Sequence, residues 1–488
     1  MITQSTPLTA IDSVYVAGEW RAAAGGATFD VHDPATGAHI GTVSDGGSED
    51  VRAAVEAAAA AFPDWAARTA YDRSGFLYEA HRLMLERSED LARLMTTEQG
   101  KPLRAARTEV KYAADFLIWF AEEAKRVYGQ TIPSPRADQR FLVLHQPIGV
   151  VGAITPWNYP ISMLTRKIAP ALAAGCTIVL KPAEQTPLCA VETFRVLADA
   201  GLPAGVANLV TAADPRPIGE EFLTNPAVGK LTFTGSTEVG KMLAGRAADQ
   251  MKRVSLELGG HAPFLVFDDA DPAHAAKGAA MVKLLNTGQA CISPNRLYVQ
   301  RSIKEEFVRV LTERVGRMRV GSGHAEGVMV GPLIDDESLT RMERQVSDAV
   351  DKGATLVAGG ERLSGDGVDG GFFYAPTVLV GITPDMRIYR EETFGPVAPV
   401  IAFDTEEEAI AMANDTAYGL ASYVYTRDLS RALRVAEALR FGMVGINDIN
   451  PTAAAAPFGG MKESGLGREG AHEGILEYLE TKLVGISI

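Results

Sequence analysis

Val150-Val-Gly-Ala-Ile154, Thr177-Ile-Val-Leu180, Ala207-Asn-Leu-Val210 and Lys230-Leu-Thr-Phe233 are four short apolar runs, and helix-like stretches near residues 163–174, 189–200 and 238–248 alternate with them. Apolar runs without polar alternation fit strands buried on both faces. Their alternation with helices predicts a parallel, doubly wound sheet. A second series begins after Gly260, with a strand at 263–267, a helix to about 286 and a strand at 297–300. Helices near 305–318 and 339–351 follow. Two α/β units in tandem, with a cleft between them, are therefore expected.

Upstream of Gly149 the chain reads as a short extended start and then mostly helix. Ser48 is predicted to cap a helix that opens with Glu49 and Asp50, because acidic residues suit the positive end of the helix dipole. An alanine-rich run carries it to Ala61, and Pro63 is expected to interrupt it. Long helices over 71–95 and 104–128 and an extended segment at 141–144 complete this part.

The bulk composition fits such an enzyme-sized globule. With 488 residues, the prior is about two to three domains. The 47% hydrophobic and 22% charged content excludes a disordered or collagen-like chain. A formal net charge of −14 argues against nucleic acid as a partner. Cys176, Cys189 and Cys291 are spaced too widely for a CxxC metal or redox motif, and an odd, sparse count suits a reducing compartment. No metal site is predicted. The start of the chain lacks a basic segment followed by an apolar one, and no apolar run reaches the roughly 18 residues that span a bilayer. A cytoplasmic location, away from membranes, is expected.

Several segments carry chemistry. In Thr232-Phe-Thr-Gly-Ser-Thr-Glu-Val-Gly240-Lys241 a strand runs through a glycine turn into a helix, which points backbone N–H groups outward as an anion site. The spacing nearly makes a P-loop, but Met242 stands where a magnesium-binding hydroxyl belongs, and the GxGxxG fingerprint is missing. Lys181-Pro-Ala-Glu184 follows a strand, where open α/β sheets bind ligands. Its lysine and carboxylate could hold two ribose hydroxyls, and Glu184 would repel a 2′-phosphate. Thr155-Pro-Trp-Asn-Tyr-Pro160 is a loop stiffened by two prolines, with Asn158 able to donate to a developing oxyanion. Glu257-Leu-Gly-Gly260 offers a general base beside glycines that permit close approach. Gly288-Gln-Ala-Cys291 places a thiol in a loop, better suited to nucleophilic work than Cys176 or Cys189. Glu391-Glu-Thr-Phe-Gly-Pro396 and Pro457-Phe-Gly-Gly-Met-Lys-Glu-Ser-Gly-Leu-Gly-Arg-Glu469 complete the set. Each segment alone is equally a turn, a solvated loop or a buried strand end.

In this order, the segments resemble the aldehyde dehydrogenase superfamily over nearly the whole chain. The resemblance implies a Rossmann-like NAD-binding domain over 1–124 and 148–259 and an α/β catalytic domain over 260–463. Residues 125–147 and 464–488 would form a small oligomerisation flap, in a homodimer or homotetramer. It also implies Cys291 as nucleophile, Glu257 as base and Asn158 as oxyanion donor. Ile154, Thr155, Pro156, Trp157, Lys181, Glu184, Gly235, Ser236, Glu392 and Phe394 would hold the dinucleotide, NAD in preference to NADP. An aldehyde is the implied substrate, taken through a thioester on Cys291.

Within the superfamily the chain is most similar to succinate-semialdehyde dehydrogenases, through Gln146-Pro-Ile-Gly-Val, Leu164-Thr-Arg-Lys-Ile-Ala-Pro-Ala-Leu and Glu477-Tyr-Leu-Glu-Thr-Lys. The resemblance gives Arg166 the substrate carboxylate, a task that suits a guanidinium fork. Alone, Arg166 reads as an exposed helical arginine. Two positions depart from that group. Leu285 replaces a second carboxylate-binding arginine, and Ser293 replaces a second cysteine. Succinate semialdehyde is thus one expected substrate, and a longer, less charged or aromatic aldehyde is the alternative. A cysteine hydrolase or acyltransferase without redox chemistry is a further alternative, for which His261 is the only histidine near a proposed catalytic segment.

Overall fold

A computed structural model describes residues 8–10, 12–365 and 367–488. Among these residues the chain forms an eight-stranded and a seven-stranded sheet, with three smaller sheets. The larger sheet runs Gly465–Leu466, Arg253–Glu257, Val228–Thr234, Val150–Ile154, Thr177–Lys181, Ala207–Leu209, Val14–Val16, Glu19–Arg21. Its five central strands are parallel, and the flanking strands are antiparallel edges. The chain enters at Val150–Ile154, builds outward on one side and then returns to build on the other. The order therefore reverses between Val150–Ile154 and Val228–Thr234, and ligands bind at such a switch point, outside the carboxyl ends of the strands.

The seven-stranded sheet runs Thr355–Ala358, Thr377–Val380, Val397–Phe403, Pro294–Gln300, Ala262–Val266, Ala421–Tyr425, Met443–Ile446, and only Thr355–Ala358 is antiparallel. All four apolar runs of the first series are strands, because each is buried on both faces as its composition demands. A third sheet joins Gln130–Ile132, Gln139–Pro147 and Leu479–Ser487, with Leu479 opposite Pro147 and Ser487 opposite Gln139. No helix among the described residues is long and apolar enough to cross a membrane.

Three local expectations fail. The first helix spans Ser48–Ala67 and continues through Pro63. Two residues on, Trp65 is buried and its indole N–H donates to the Leu172 carbonyl at 3.2 Å. That tertiary anchoring offsets a proline penalty of about 3 kcal/mol. Gly47, not Ser48, is the N-cap, and Asp50 closes the turn by accepting the Gly47 N–H at 3.0 Å. The 71–95 helix is two helices, Ala70–Glu86 and Ser88–Gln99, broken at Arg87. Its periodicity concealed the break, although Ser88-Glu89-Asp90 is itself a helix-start signal. The helix Arg216–Thr224 was not anticipated.

Candidate active site

The Thr155–Pro160 loop leaves the strand at the switch point and enters the buried helix Ser162–Ala174. Asn158 is 4% exposed. Its amide Nδ2 donates to the Gln289 carbonyl at 3.0 Å, which ties it to the cysteine loop and leaves its second N–H for a ligand.

The approach to Cys291 is held in unusual backbone. Asn286, Thr287 and Gly288 have φ of 48°, 61° and 79°. The left-handed region is costly for a β-branched residue such as Thr287. Surrounding bonds stabilise it: Thr287 Oγ1 accepts the Gly331 N–H at 3.0 Å. A Cβ on Gly288 would collide with the Gly395 carbonyl, and one on Gly260 with the Cys291 carbonyl oxygen. These two glycines let three segments close around one half-buried thiol. Burial pushes that thiol up to about 12, with Arg166 drawing it down against the charges of Glu257 and Glu392.

Glu257 ends its strand at 4% exposure, with both carboxylate oxygens lacking a hydrogen-bond partner. Burial first, and the charge of Glu469 second, push it well above the ordinary carboxylate value, against Arg166, Lys167 and Arg468. Glu469 goes the other way. Burial raises it, but Lys167 and Arg166 outweigh burial and hold it low. Lys167 Nζ donates to Glu469 at 2.6 Å and to Thr232 Oγ1 at 3.0 Å. Two carboxyl groups thus share a buried site, and their surroundings push them in opposite directions, Glu257 up and Glu469 down.

Arg166 is 2% exposed, not the solvent-facing helical arginine that an isolated reading allowed. It pairs with Glu469 at 2.8 Å and lies 3.9 Å above the Phe458 ring. Its Nη2 has no partner and is buried. A cavity of 890 Å³ reaches from the surface to Cys291, and Arg166, Tyr112, Phe458, Ile449 and Leu285 line it. Leu285 is 39% exposed in that wall.

The remaining predicted residues gather at the carboxyl edge of the larger sheet. Lys181 Nζ donates to Glu184 at 2.8 Å. Ile154 lies in register with Lys181, and the Thr155 N–H donates to the Lys181 carbonyl at 3.1 Å. Beyond the Gly235 turn, Ser236 caps the helix Thr237–Ala247 by accepting the Val239 N–H at 3.4 Å. Pro156 lies beside Trp157, whose ring stands edge-on to Phe394 with centroids 5.6 Å apart. Glu392 accepts the Gly260 N–H at 2.9 Å, and burial raises its carboxyl to about 7. These residues fit a dinucleotide. A helix N-terminus adjoins the switch point, and the Thr155 hydroxyl is buried without a partner.

His261 does not serve Cys291. Its Nε2–H donates to the Tyr389 carbonyl at 2.8 Å, and burial with Arg296 holds its imidazole well below the ordinary value. Ser293 is buried and its hydroxyl donates to the Lys283 carbonyl at 3.2 Å.

Some residues at the site were quoted in the sequence without a role. Glu469 and Lys167 lie 302 positions apart, so no local pattern pairs them. Glu98 and Glu109 are buried glutamates that cap other helices. Glu98 accepts the Leu188 and Cys189 N–H groups at 2.6 and 2.9 Å, behind the Lys181–Glu184 loop. Glu109 accepts those of Ile161 and Ser162 at 3.1 and 3.2 Å, behind the Asn158 loop. A charged residue within an otherwise apolar helix face was the available signal.

Residues 20–484 match the aldehyde dehydrogenase family. A probable succinate-semialdehyde dehydrogenase [NADP(+)] of Sinorhizobium fredii is 52% identical over 93% of this chain and 92% of its own. A glutarate-semialdehyde dehydrogenase of Pseudomonas putida is 51% identical over 97% of each chain. Among solved structures, an E. coli NADP-dependent enzyme superposes with a TM-score of 0.96 at 49% identity, over 98% of both chains. The chain belongs to the aldehyde dehydrogenase family. It is an aldehyde dehydrogenase, an enzyme that oxidises aldehydes with NAD or NADP.

Proposed function

We propose that this enzyme oxidises its aldehyde through a covalent intermediate on Cys291, with Asn158 and the Cys291 backbone N–H as oxyanion donors and Glu257 as the hydrolytic base. The observation that carries the reading is the clamp of Asn158 and Gly260 on the cysteine loop, with the buried Glu257 near enough for its charge to act on the thiol. Addition of the Cys291 S–H across the carbonyl gives a thiohemiacetal, with negative charge on oxygen developing beside the Asn158 amide. What the dinucleotide supplies when bound is a two-electron acceptor at its nicotinamide. Loss of the carbinol hydrogen with its electron pair, and of the hydroxyl proton to solvent, leaves a thioester on Cys291. Glu257, in its ionised form, takes a proton from water as the water attacks the thioester, and Cys291 leaves as the thiol.

Ile154, Thr155, Pro156, Trp157, Lys181, Glu184, Gly235, Ser236, Glu392 and Phe394 are assigned to the dinucleotide. NAD is preferred to NADP, because the Glu184 carboxylate beside a ribose 2′-oxygen repels a phosphate there. The Sinorhizobium relative and the E. coli enzyme carry NADP in their names, so the assignment rests on Glu184 itself. Residues 1–124 with 148–259 would form the cofactor domain and 260–463 the catalytic domain. Residues 125–147 and 464–488 would join copies into a dimer or tetramer in the cytoplasm, apart from Gly465–Leu466, which pairs with the cofactor sheet.

For the substrate, the free Nη2 of Arg166 is a donor for a distal carboxylate, as in the semialdehydes that name the two relatives. Leu285 favours a second reading, a longer or aromatic aldehyde filling the apolar wall. NADH formation with an aldehyde panel, with and without a carboxylate, tests the reading against NAD and NADP. Wild type should favour NAD, and Glu184→Ser should narrow that preference. NADP preference in the wild type would overturn the cofactor assignment, and no reduction of either dinucleotide by any aldehyde would overturn the reaction.

A further inference from the structure

We infer that a buried ion pair, Lys101 with Glu109, is a positioning device for the Asn158 amide. This rests on the oxyanion role proposed for Asn158. Both side chains are 1% exposed, and Lys101 Nζ is bonded to Glu109 Oε2. The same ammonium donates to the backbone carbonyl of Asn158 at 2.8 Å and sits 4.1 Å above the ring of Tyr159. The other oxygen of Glu109 takes the N–H groups of Ile161 and Ser162, where the helix Ser162–Ala174 has no side-chain cap of its own. One ion pair therefore grips the short Asn158 loop at two points, its carbonyl at residue 158 and its amides at 161 and 162.

The grip matters because the amide of Asn158 has few other restraints. Asn286 Nδ2 adds a second donor to the Asn158 carbonyl at 2.9 Å, and the side chain itself has the single bond to Gln289. Its Oδ1 is buried without a partner. Rotation of the 158 peptide would move the amide whose second N–H is proposed to meet the substrate oxygen. A buried pair is not a strong source of stability, since desolvation offsets most of its attraction. An ammonium bonded to one carboxylate and one chosen carbonyl is better explained by fixing geometry, and a misplacement of 1 Å can cost about 100-fold in rate.

The test is a double-mutant cycle on the full-length enzyme. Lys101→Met alone strands Glu109 in the interior and risks misfolding, so the working variant is Lys101→Met/Glu109→Gln. Its glutamine keeps an acceptor for the Ile161 and Ser162 amides, and its methionine keeps the lysine stem. Circular dichroism and NAD titration confirm the fold. The expected result is a fall in kcat of about 10- to 100-fold with KM nearly constant. In an Asn158→Ala background the same pair should change kcat less than about twofold, because the amide it positions is gone. Equal losses in both backgrounds, or no loss in either, would overturn the inference. So would a rise in KM confined to carboxylated aldehydes, which would make Lys101 a substrate contact. If Asn158→Ala alone costs nothing, the failure lies instead in the oxyanion assignment. Should the working variant not fold, Glu109→Gln alone, which loosens the lysine, is carried through the same cycle with the same readings.

Discussion

Replacing Leu285 with arginine should convert the cavity wall into a stronger carboxylate site. Leu285 is 39% exposed there, so a longer side chain meets open space and not a packed core. Arg166 lines the same cavity, and one face of it is already committed to Glu469 at 2.8 Å. A new hydrogen bond to a charged group contributes about 1.5–3 kcal/mol. With about 1.4 kcal/mol per tenfold, that is roughly 10- to 150-fold in kcat/KM. Solvent in a partly open wall screens the charge, so the lower end, about tenfold, is the figure to expect. The assay compares succinate semialdehyde with butanal, the uncharged aldehyde of equal length, by initial rates of NADH formation. Leu285→Arg should raise the ratio of their kcat/KM values by about tenfold, mainly through KM of the carboxylated aldehyde. A ratio changed less than about twofold, in a variant that still binds NAD, would refute the placement of Leu285 at the distal end of the substrate.

Glu257→Gln should form one equivalent of NADH per site in a burst and then nearly stop, because the thioester is made but not hydrolysed; steady turnover at the wild-type rate would remove Glu257 from the hydrolytic step. Burial holds the Cys291 thiol near 12, so the cofactor-free enzyme should react with iodoacetamide faster at each step from pH 7 to pH 10; a plateau in that rate below pH 9 would show the thiol to be already ionised. Glu469 repels the ionised form of Glu257, so Glu469→Gln leaves Arg166 and Lys167 free to stabilise it and should lower the Glu257 pKa. The group is active when deprotonated, so the rising limb of the hydrolysis rate should move to lower pH; a shift to higher pH contradicts the sign.

Much of this architecture is legible from local chemistry. Buried parallel strands announce themselves as unbroken apolar runs, and Val150–Ile154 was found to the residue. The glycine turn at 235 marks a strand entering a helix because a side chain there would strike Phe233. What escaped depends on distant partners. Trp65 pins a helix through Pro63 by reaching Leu172, which no window of sequence contains. Arg166 reads as exposed until Glu469, from the far end of the chain, arrives to neutralise it. Lys101 sits in the loop between two helices and Glu109 on a mostly apolar helix face, and only the folded Asn158 loop gives them a shared task.

The central assignment, a covalent bond between Cys291 and the aldehyde carbon, is tested most directly by mass spectrometry of the Glu257→Gln enzyme after mixing with NAD and an aldehyde substrate. An acyl adduct should appear on the peptide that carries Cys291 and be absent from a Cys291→Ala control, which should also make no NADH. Undiminished NADH formation by Cys291→Ala would contradict the account.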